Sequence, residues 1–470
     1  MRKNLLKLLA LLSIGVVTIA AMDYPLTKKK AKSPNLIVIM VDDMGWEDVG
    51  FNGCKDIPTP NIDRIAKEGV QFEQGYVSFP VCGPSRAGFL TGRYQDRFGF
   101  TTNPSINPED ERCGLPVEEE TMAEVLKKGD YNSAIIGKWH MGTHSKFHPL
   151  KRGFDYFFGF LSGGHHYLPE LLTLKDLSEV TKKWDWYSTK IRENYDAVEV
   201  DDYLTDELTD ATIRYINKQA ENDQQFMVYL AYNAPHAPLE ATEKYLSRFD
   251  HIENKRRKTY AAMVSAVDDG VGRVLKALED KGIDENTLVV FLSDNGGSKK
   301  NASNNGPLRG FKTDMFEGGV RVPFAMRWKG ELPEGMKYEH PISSLDIMAT
   351  IVAQANIKIN KERPLDGVDL VPYLKGEVDG IPHNYLFWRK WEQNCMAVRH
   401  GNYKLLANKN MESNPTELFD IENDPYETTN IKGQNKKLSK ELMSEWMKWN
   451  DQLKDRVFPR LNGDNWWTKQ

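Results

Sequence analysis

Cysteine is scarce in this sequence, with four residues in 470, at positions 54, 82, 113 and 395. That is too few for a disulfide scaffold, and the spacings form no zinc pattern. If one cysteine is reserved for chemistry, three remain and at least one of them is unpaired. Charge of one sign is also lacking. A net charge of −5 gives no global attraction to nucleic acid or to an anionic membrane, so neither is an expected partner. An anionic ligand would need positive charge placed locally. Internal repeats and low-complexity tracts are absent. Long apolar runs are missing too: the run from Leu8 to Ala21 is too short to span a bilayer, and stable membrane insertion is not expected.

What is present is an ordinary globular balance, 40% hydrophobic and 27% charged, in a chain long enough for a sizeable core. Arg2, Lys3 and Lys7 precede the short apolar run, and small residues end it. This reads as a cleaved signal peptide over 1–21, followed by a lysine-rich linker over 22–34, which places the protein in the periplasm or outside the cell. No cysteine closely follows the run, so a lipid-anchored N-terminus is not expected.

Four strand-like runs follow: Asn35 to Val41, Ser133 to Gly137, Phe226 to Tyr232 and Thr287 to Ser293. Continuous apolar runs of this length suit strands buried on both faces of a parallel sheet. Helical patterns lie between them, at Ile62 to Glu68, Thr121 to Lys128, Leu204 to Ala220 and Tyr260 to Lys281. The alternation predicts an α/β domain over 35–375 with a large, mostly parallel sheet flanked by helices. From about residue 376 the runs become shorter and more aromatic. They predict a C-terminal subdomain over 376–470, a small antiparallel sheet with a final helix near Lys436 to Leu453.

Each of the four runs ends in ionisable or amide residues: Asp42 and Asp43, Lys138 and His140, Asn233 and His236, Asp294 and Asn295. Ligands of open α/β sheets bind beyond the carboxyl ends of the strands, so this convergence predicts one site there. Between the first two runs stands Cys82-Gly83-Pro84-Ser85-Arg86, followed by Thr91-Gly92-Arg93. If this segment opens a helix, Cys82 and Arg86 share a face four residues apart, and the helix N-terminus favours an anion.

The stretch from Cys82 to Arg93 resembles the sulfatase signature, C-x-P-x-R followed by T-G-R. The resemblance extends from about Asn35 into the C-terminal region. It implies hydrolysis of sulfate esters, with Cys82 converted to formylglycine by a maturation enzyme. The chemistry favours such a conversion, because a thiol would form a thiosulfate-like adduct with no easy exit. An aldehyde hydrate attacks sulfur with one hydroxyl and expels sulfate with the other, splitting the reaction into two easier steps. The family pattern also implies a divalent cation, usually calcium, held by Asp42, Asp43, Asp294, Asn295 and the modified residue 82. Oxygen donors suit such an ion.

Gly137 to Gly142 matches the family's G-K-W-H-x-G segment, so the resemblance assigns Lys138 and His140 to the hydrate and sulfate. It assigns His236 and Lys312 to the sulfate and leaving oxygen. His140 is the expected base, and Arg86, Lys138 and Lys312 the fixed positive charge. Their mutual repulsion is expected to depress the lysine pKa values. For the substrate, a sulfated glycan is favoured over a small aryl ester. His165 and His166, within Gly159 to Tyr167, are candidate substrate contacts. So is Arg389, with Trp388 and Trp391 beside it, and Trp184 and Trp186 in a charged insertion are a candidate sugar platform. A related phosphonate or phosphate-ester hydrolase, or a glycan-binding protein on an inactive scaffold, are the alternatives. The motifs do not define the sugar or the sulfate position.

Overall fold

The computed structural model describes residues 33–182, 184–410 and 416–459. The expected signal peptide and most of the expected linker lie outside the described residues. The described strands are β1 (Asn35–Val41), β2 (Val70–Phe72), β3 (Gly75–Tyr76), β4 (Asn132–Lys138), β5 (Tyr156–Phe160), β6 (Ile191–Glu193), β7 (Asp196–Val198), β8 (Phe226–Ala231), β9 (Thr287–Ser293), β10 (Phe324–Arg327), β11 (Met336–Tyr338), β12 (Ile342–Ser343), β13 (Tyr385–Lys390), β14 (Cys395–His400), β15 (Tyr403–Ala407) and β16 (Glu417–Asp420). The helices are α1 (Pro60–Lys67), α2 (Cys82–Thr91), α3 (Met122–Lys127), α4 (Leu204–Glu221), α5 (Glu243–Leu246), α6 (Lys255–Asp280), α7 (Glu317–Val320), α8 (Asp346–Gln354), α9 (Val371–Leu374) and α10 (Lys436–Asn450).

Ten strands form one sheet in the order β11-β2-β10-β9-β1-β8-β4-β5-β6-β7. Its centre, β9-β1-β8-β4-β5, is parallel throughout, so the four predicted runs are neighbours pointing the same way. β10 joins β9 antiparallel and β6 joins β5 antiparallel, which makes the sheet mixed at both flanks. The unbroken apolar reading of β1 has a direct cause. Leu36, Val38 and Met40 enter one core with residues of α2, α3 and α8, while Ile37, Ile39 and Val41 enter the opposite core with residues of α1, α4 and α6. A strand covered on both faces has no polar side to alternate with.

α3 begins where the sequence places it, because Thr121 and Glu124 form a reciprocal capping box. α6 starts five residues earlier than its apolar pattern, at Lys255. The Asn254 side chain caps it, accepting from the backbone N–H groups of Arg256 and Arg257 at 3.0 and 3.1 Å. Its first turn, Lys255 to Lys258, is polar and therefore silent in a hydrophobic periodicity.

The antiparallel sheet β13-β14-β15-β16 matches its expectation, and α10 packs on it through Leu442, Trp446 and Trp449. The opposite face of this sheet, with Leu386, Trp388 and Leu406, packs against Tyr76, Met315, Phe316 and Val320. The small sheet thus touches the segment that carries Lys312.

Candidate active site

β1, β9, β4 and β8 deliver their chain ends to one edge of the sheet. Asp42 and Asp43 follow β1, Asp294 and Asn295 follow β9, Lys138 closes β4, and His236 follows β8 by five residues. Asp43 and His140 have φ of 64° and 60°, a left-handed backbone that non-glycine residues adopt at a cost of about 1 kcal/mol or more. The fold holds both against that cost. Asp43 is fixed at both ends: its N–H donates to Asp294 Oδ1 at 3.3 Å, and its carbonyl accepts from Asn301 Nδ2 at 3.3 Å.

Cys82 is the first residue of α2, a helix whose ten residues are all buried. Pro84 fits in the first turn because N–H groups there have no intrahelical partner. Gly92 ends the helix with φ 62°, the usual left-handed glycine stop. Arg86, one turn after Cys82, is fully buried. Its Nε donates to Asp294 Oδ2 at 2.8 Å and its Nη1 to the Tyr229 hydroxyl at 3.1 Å. Lys312 Nζ lies 2.6 Å from Asp43 Oδ1 and 4.0 Å from Cys82 Sγ. Lys138 Nζ lies 2.5 Å from Asp42 Oδ2. His236 Nε2 is 3.7 Å from Asp43 Oδ2, and Asn295 Nδ2 donates to Asp43 Oδ1 at 2.7 Å. Asp42, Asp43, Cys82, Arg86, Lys138, His236, Asp294, Asn295 and Lys312 are therefore one connected cluster, whereas the Asn233 amide donates to the His165 carbonyl at 3.4 Å.

Three buried carboxylates face two buried cations, Lys138 and Arg86, and the part-buried Lys312. Burial works against ionisation of Asp42 and Asp43, yet Lys138, His236 and Arg86 hold Asp42 below the ordinary carboxylate range, and Lys312 and His236 do the same for Asp43. Asp294 moves the other way, raised by burial and by the negative charge of Asp42. His140 is held well below the usual histidine range by burial and by the positive charges of Lys138, Arg86 and Lys312, so it is neutral. The expectation of depressed lysine pKa values fails for Lys312. Although burial opposes its charge, Asp43, Cys82, Asp42 and Asp294 raise its pKa well above the ordinary value. The Asp43 carboxylate beside it is the largest of these opposing influences.

The donor chemistry fits an oxygen-preferring divalent cation. The ligand atoms of Asp42, Asp294 and Cys82 lie within 4.8 Å of one another, as do those of Asp42, Asp43 and His236. Asp42 Oδ1 and Asn295 Oδ1 are buried acceptors with no hydrogen-bond donor. Unpaired buried acceptors are costly, and a bound cation satisfies them.

Comparison with known proteins agrees with this geometry. The sulfatase family model matches residues 34–357. The model of the N-sulphoglucosamine sulphohydrolase C-terminal region matches residues 311–452. The N-acetylgalactosamine-6-sulfatase of Mus musculus is 37% identical over 384 residues, covering 79% of this chain and 71% of that protein. The crystal structure of Ps i-CgsB superposes with a TM-score of 0.85 at 38% identity, covering 90% of this chain and 94% of the other. The same protein in complex with k-i-k-neocarrahexaose gives the same values.

The chain belongs to the sulfatase family. It is a sulfuric ester hydrolase.

The residues expected to meet the substrate divide sharply. Arg389 is inside the protein. Its Nε donates to Asp96 Oδ1 at 3.0 Å, and its two terminal nitrogens donate to Asn450 Oδ1 at 3.1 Å and to the Lys454 carbonyl at 2.7 Å. A buried guanidinium needs partners for its donors, and these supply them, so Arg389 clamps α10 to the chain near Asp96 instead of facing a sugar. Trp388 is also interior, donating to the Val77 carbonyl at 2.8 Å. His165 is buried, its ring nitrogens 3.2 and 2.8 Å from the carbonyls of His166 and Thr189, so it too is a packing residue. His166 is only part-buried, with Nδ1 2.6 Å from Glu240 Oε1. Trp186 is buried, whereas Trp184 and Trp391 are exposed.

Sequence reasoning missed three supports of this sulfatase centre. Asn103 Oδ1 accepts from Gly83 N at 3.0 Å and lies 3.8 Å from Cys82 Sγ. Tyr229 holds Arg86, and Asn301 ties the Asp43 carbonyl to that of Pro235, donating to the latter at 3.2 Å. Asn103 lies in an irregular loop, Asn301 ends a single 3-10 turn (Lys299–Asn301) too short for periodicity, and Tyr229 reads as one more apolar strand residue.

Proposed function

We propose that this sulfatase removes sulfate from sulfated carbohydrates through formylglycine at position 82 and a calcium ion held by Asp42, Asp43, Asp294 and Asn295. The observation that carries the reading is the seat of Cys82. It is the first residue of a buried helix, within 4.8 Å of the Asp42 and Asp294 carboxylates and 4.0 Å from Lys312. A maturation enzyme is then a required partner, since the chain supplies only the cysteine. The basic and apolar N-terminal segment supports export to the periplasm or beyond, where sulfated polymers are met. Sugar substrates are supported by the relatives: one is named for N-acetylgalactosamine 6-sulfate, and another was solved with a hexaose.

When bound, the cation withdraws charge from the sulfate oxygens, and the formylglycine hydrate supplies the attacking hydroxyl. The remaining work belongs to this chain's own residues. The cluster is near charge balance by itself, so a divalent cation makes it net positive toward an anionic ester. Lys138 and Arg86 hold Asp42 and Asp294 in place. Lys312 sets a permanent positive charge beside position 82, where the transferring group is most anionic. His236 and Lys312, joined through Asp43, meet the departing ester oxygen with a proton or with positive charge. His140, kept neutral by its cationic neighbours, is the group able to accept a proton.

The test is release of inorganic sulfate, followed by ion chromatography, from defined sulfated mono- and oligosaccharides alongside an aryl sulfate and an aryl phosphate diester. Turnover of at least one saccharide above the aryl sulfate is expected, and it should vanish on chelation and return with calcium. Turnover confined to the phosphate diester, or unaffected by exhaustive chelation, contradicts the reading.

A further inference from the structure

The insertion that carries Trp184 and Trp186 also carries Tyr187, and the structure places this tyrosine beside the catalytic centre. Two consecutive glycines show it. A Cβ on Gly163 would lie 2.6 Å from Nε2 of His140, and a Cβ on Gly164 would lie 2.6 Å from Cε1 and 3.3 Å from the hydroxyl of Tyr187. The backbone of Gly163 and Gly164 is therefore a thin partition, with the His140 imidazole against one residue and the Tyr187 ring against the next. Neither glycine can carry a side chain without moving one of those rings.

The ring is well held. It stacks on Trp186 with centroids 3.9 Å apart and 23° between planes, and it meets His166 edge-on at 5.9 Å. The Tyr187 carbonyl accepts from His166 N at 3.0 Å, and Glu240 fixes the His166 ring from its other side. Beyond Tyr187 the aromatic surface continues outward to the exposed Trp184, 5.9 Å away. By contrast with this packed ring, the phenol hydroxyl makes no hydrogen bond among the described residues. Hydroxyls of buried or half-buried tyrosines usually find a partner. Beyond burial, the groups near enough to act electrostatically on this phenol are Asp42, Lys312, Cys82 and Asp43.

We propose that Tyr187 is a saccharide-positioning residue, its phenol hydrogen-bonding a hydroxyl of the sugar ring that bears the scissile sulfate. The phenol is both donor and acceptor, as a sugar hydroxyl is. Beyond it, the exposed Trp184 offers an apolar face to the sugar. The proposal rests on the carbohydrate reading above and deepens it.

Tyr187→Phe keeps the stack and removes only the hydroxyl. On the matured protein, with the best saccharide sulfate found for wild type, KM is expected to rise by about tenfold with kcat within about twofold, the loss of one hydrogen bond made equally in ground and transition states. Hydrolysis of an aryl sulfate, which has no sugar hydroxyl, and the melting temperature are expected to be unchanged. A Y187F variant with wild-type KM on the saccharide overturns the proposal. Equal losses on both substrates also overturn it, because they place the phenol on the sulfate or in the scaffold. Wild type without turnover of any saccharide sulfate overturns the carbohydrate reading, and this assignment with it.

Discussion

Lys312 touches both halves of the centre, the carboxylate of Asp43 at 2.6 Å and the sulfur of Cys82 at 4.0 Å. In the proposed mechanism, a cation in that seat stabilises negative charge as it develops on the transferring group. Lys312→Ala is therefore expected to lower kcat by about 10²–10³-fold, as removal of one oriented charge-stabilising donor does elsewhere. Steady-state kinetics of the matured variant checks this, and a loss below tenfold contradicts the role. Residues of this kind were legible because each sits in a contiguous motif: Cys82 with Arg86, Lys138 with His140, Asp42 with Asp43. Arg389 was misread for the complementary reason. An arginine among tryptophans looks like a surface for sugars, and only the fold brings Asp96, 293 positions away in sequence, to its guanidinium. Tyr187 and Asn103 carry no local signal at all. Only the fold brings them near the centre.

At the scale of elements, α7 follows the Lys312 loop and is pinned by the small sheet. Lys404 of β15 reaches Glu317 at 2.8 Å and Glu427 at 3.0 Å, and Glu427 Oε2 accepts from the Glu317 N–H at 2.7 Å. All three side chains are buried. One ammonium shared between two carboxylates leaves one of them poorly compensated. Burial pushes Glu427 up to about 7 despite Lys404, while Lys404 and two arginines hold Glu317 at about 2 against its own burial. The sign follows from linkage. The folded state keeps Glu427 protonated above the ordinary glutamate value of 4.5, so its contribution is fully present below that pH and is lost as pH rises through about 7. Glu317 acts with the opposite sign, only below 4.5, outside this window. Melting temperatures measured from pH 5 to pH 8 should therefore fall more for wild type than for Glu427→Gln, which has no charge to gain. Parallel profiles would show that Glu427 is ionised throughout. The small sheet was readable as a sheet from its short aromatic runs. Its clamp on α7 was not, since Lys404 and Glu317 look like ordinary surface charges until the sheet lies on the core.

Across the whole molecule, the architecture explains why so much was visible. Strands covered on both faces give unbroken apolar runs, which is why the bounds of β1 and β9 match their sequence reading residue for residue. A parallel sheet then sends the ends of β9, β1, β8 and β4 to one edge, so the polar residues that end each run converge without further instruction. The flanking strands β2, β10 and β11, of three to four residues each, were not legible, because so short a segment has no pattern of its own.

The central claim is that this fold turns Cys82 into the precursor of the nucleophile and uses no other group in its place. It is tested by producing the chain with graded amounts of a formylglycine-generating enzyme and measuring, in each preparation, the converted fraction of position 82 by peptide mass spectrometry together with the rate of sulfate release. The account predicts a rate proportional to the converted fraction, with none from unconverted protein or from Cys82→Ala. Undiminished sulfate release by a preparation in which position 82 is still cysteine would contradict it.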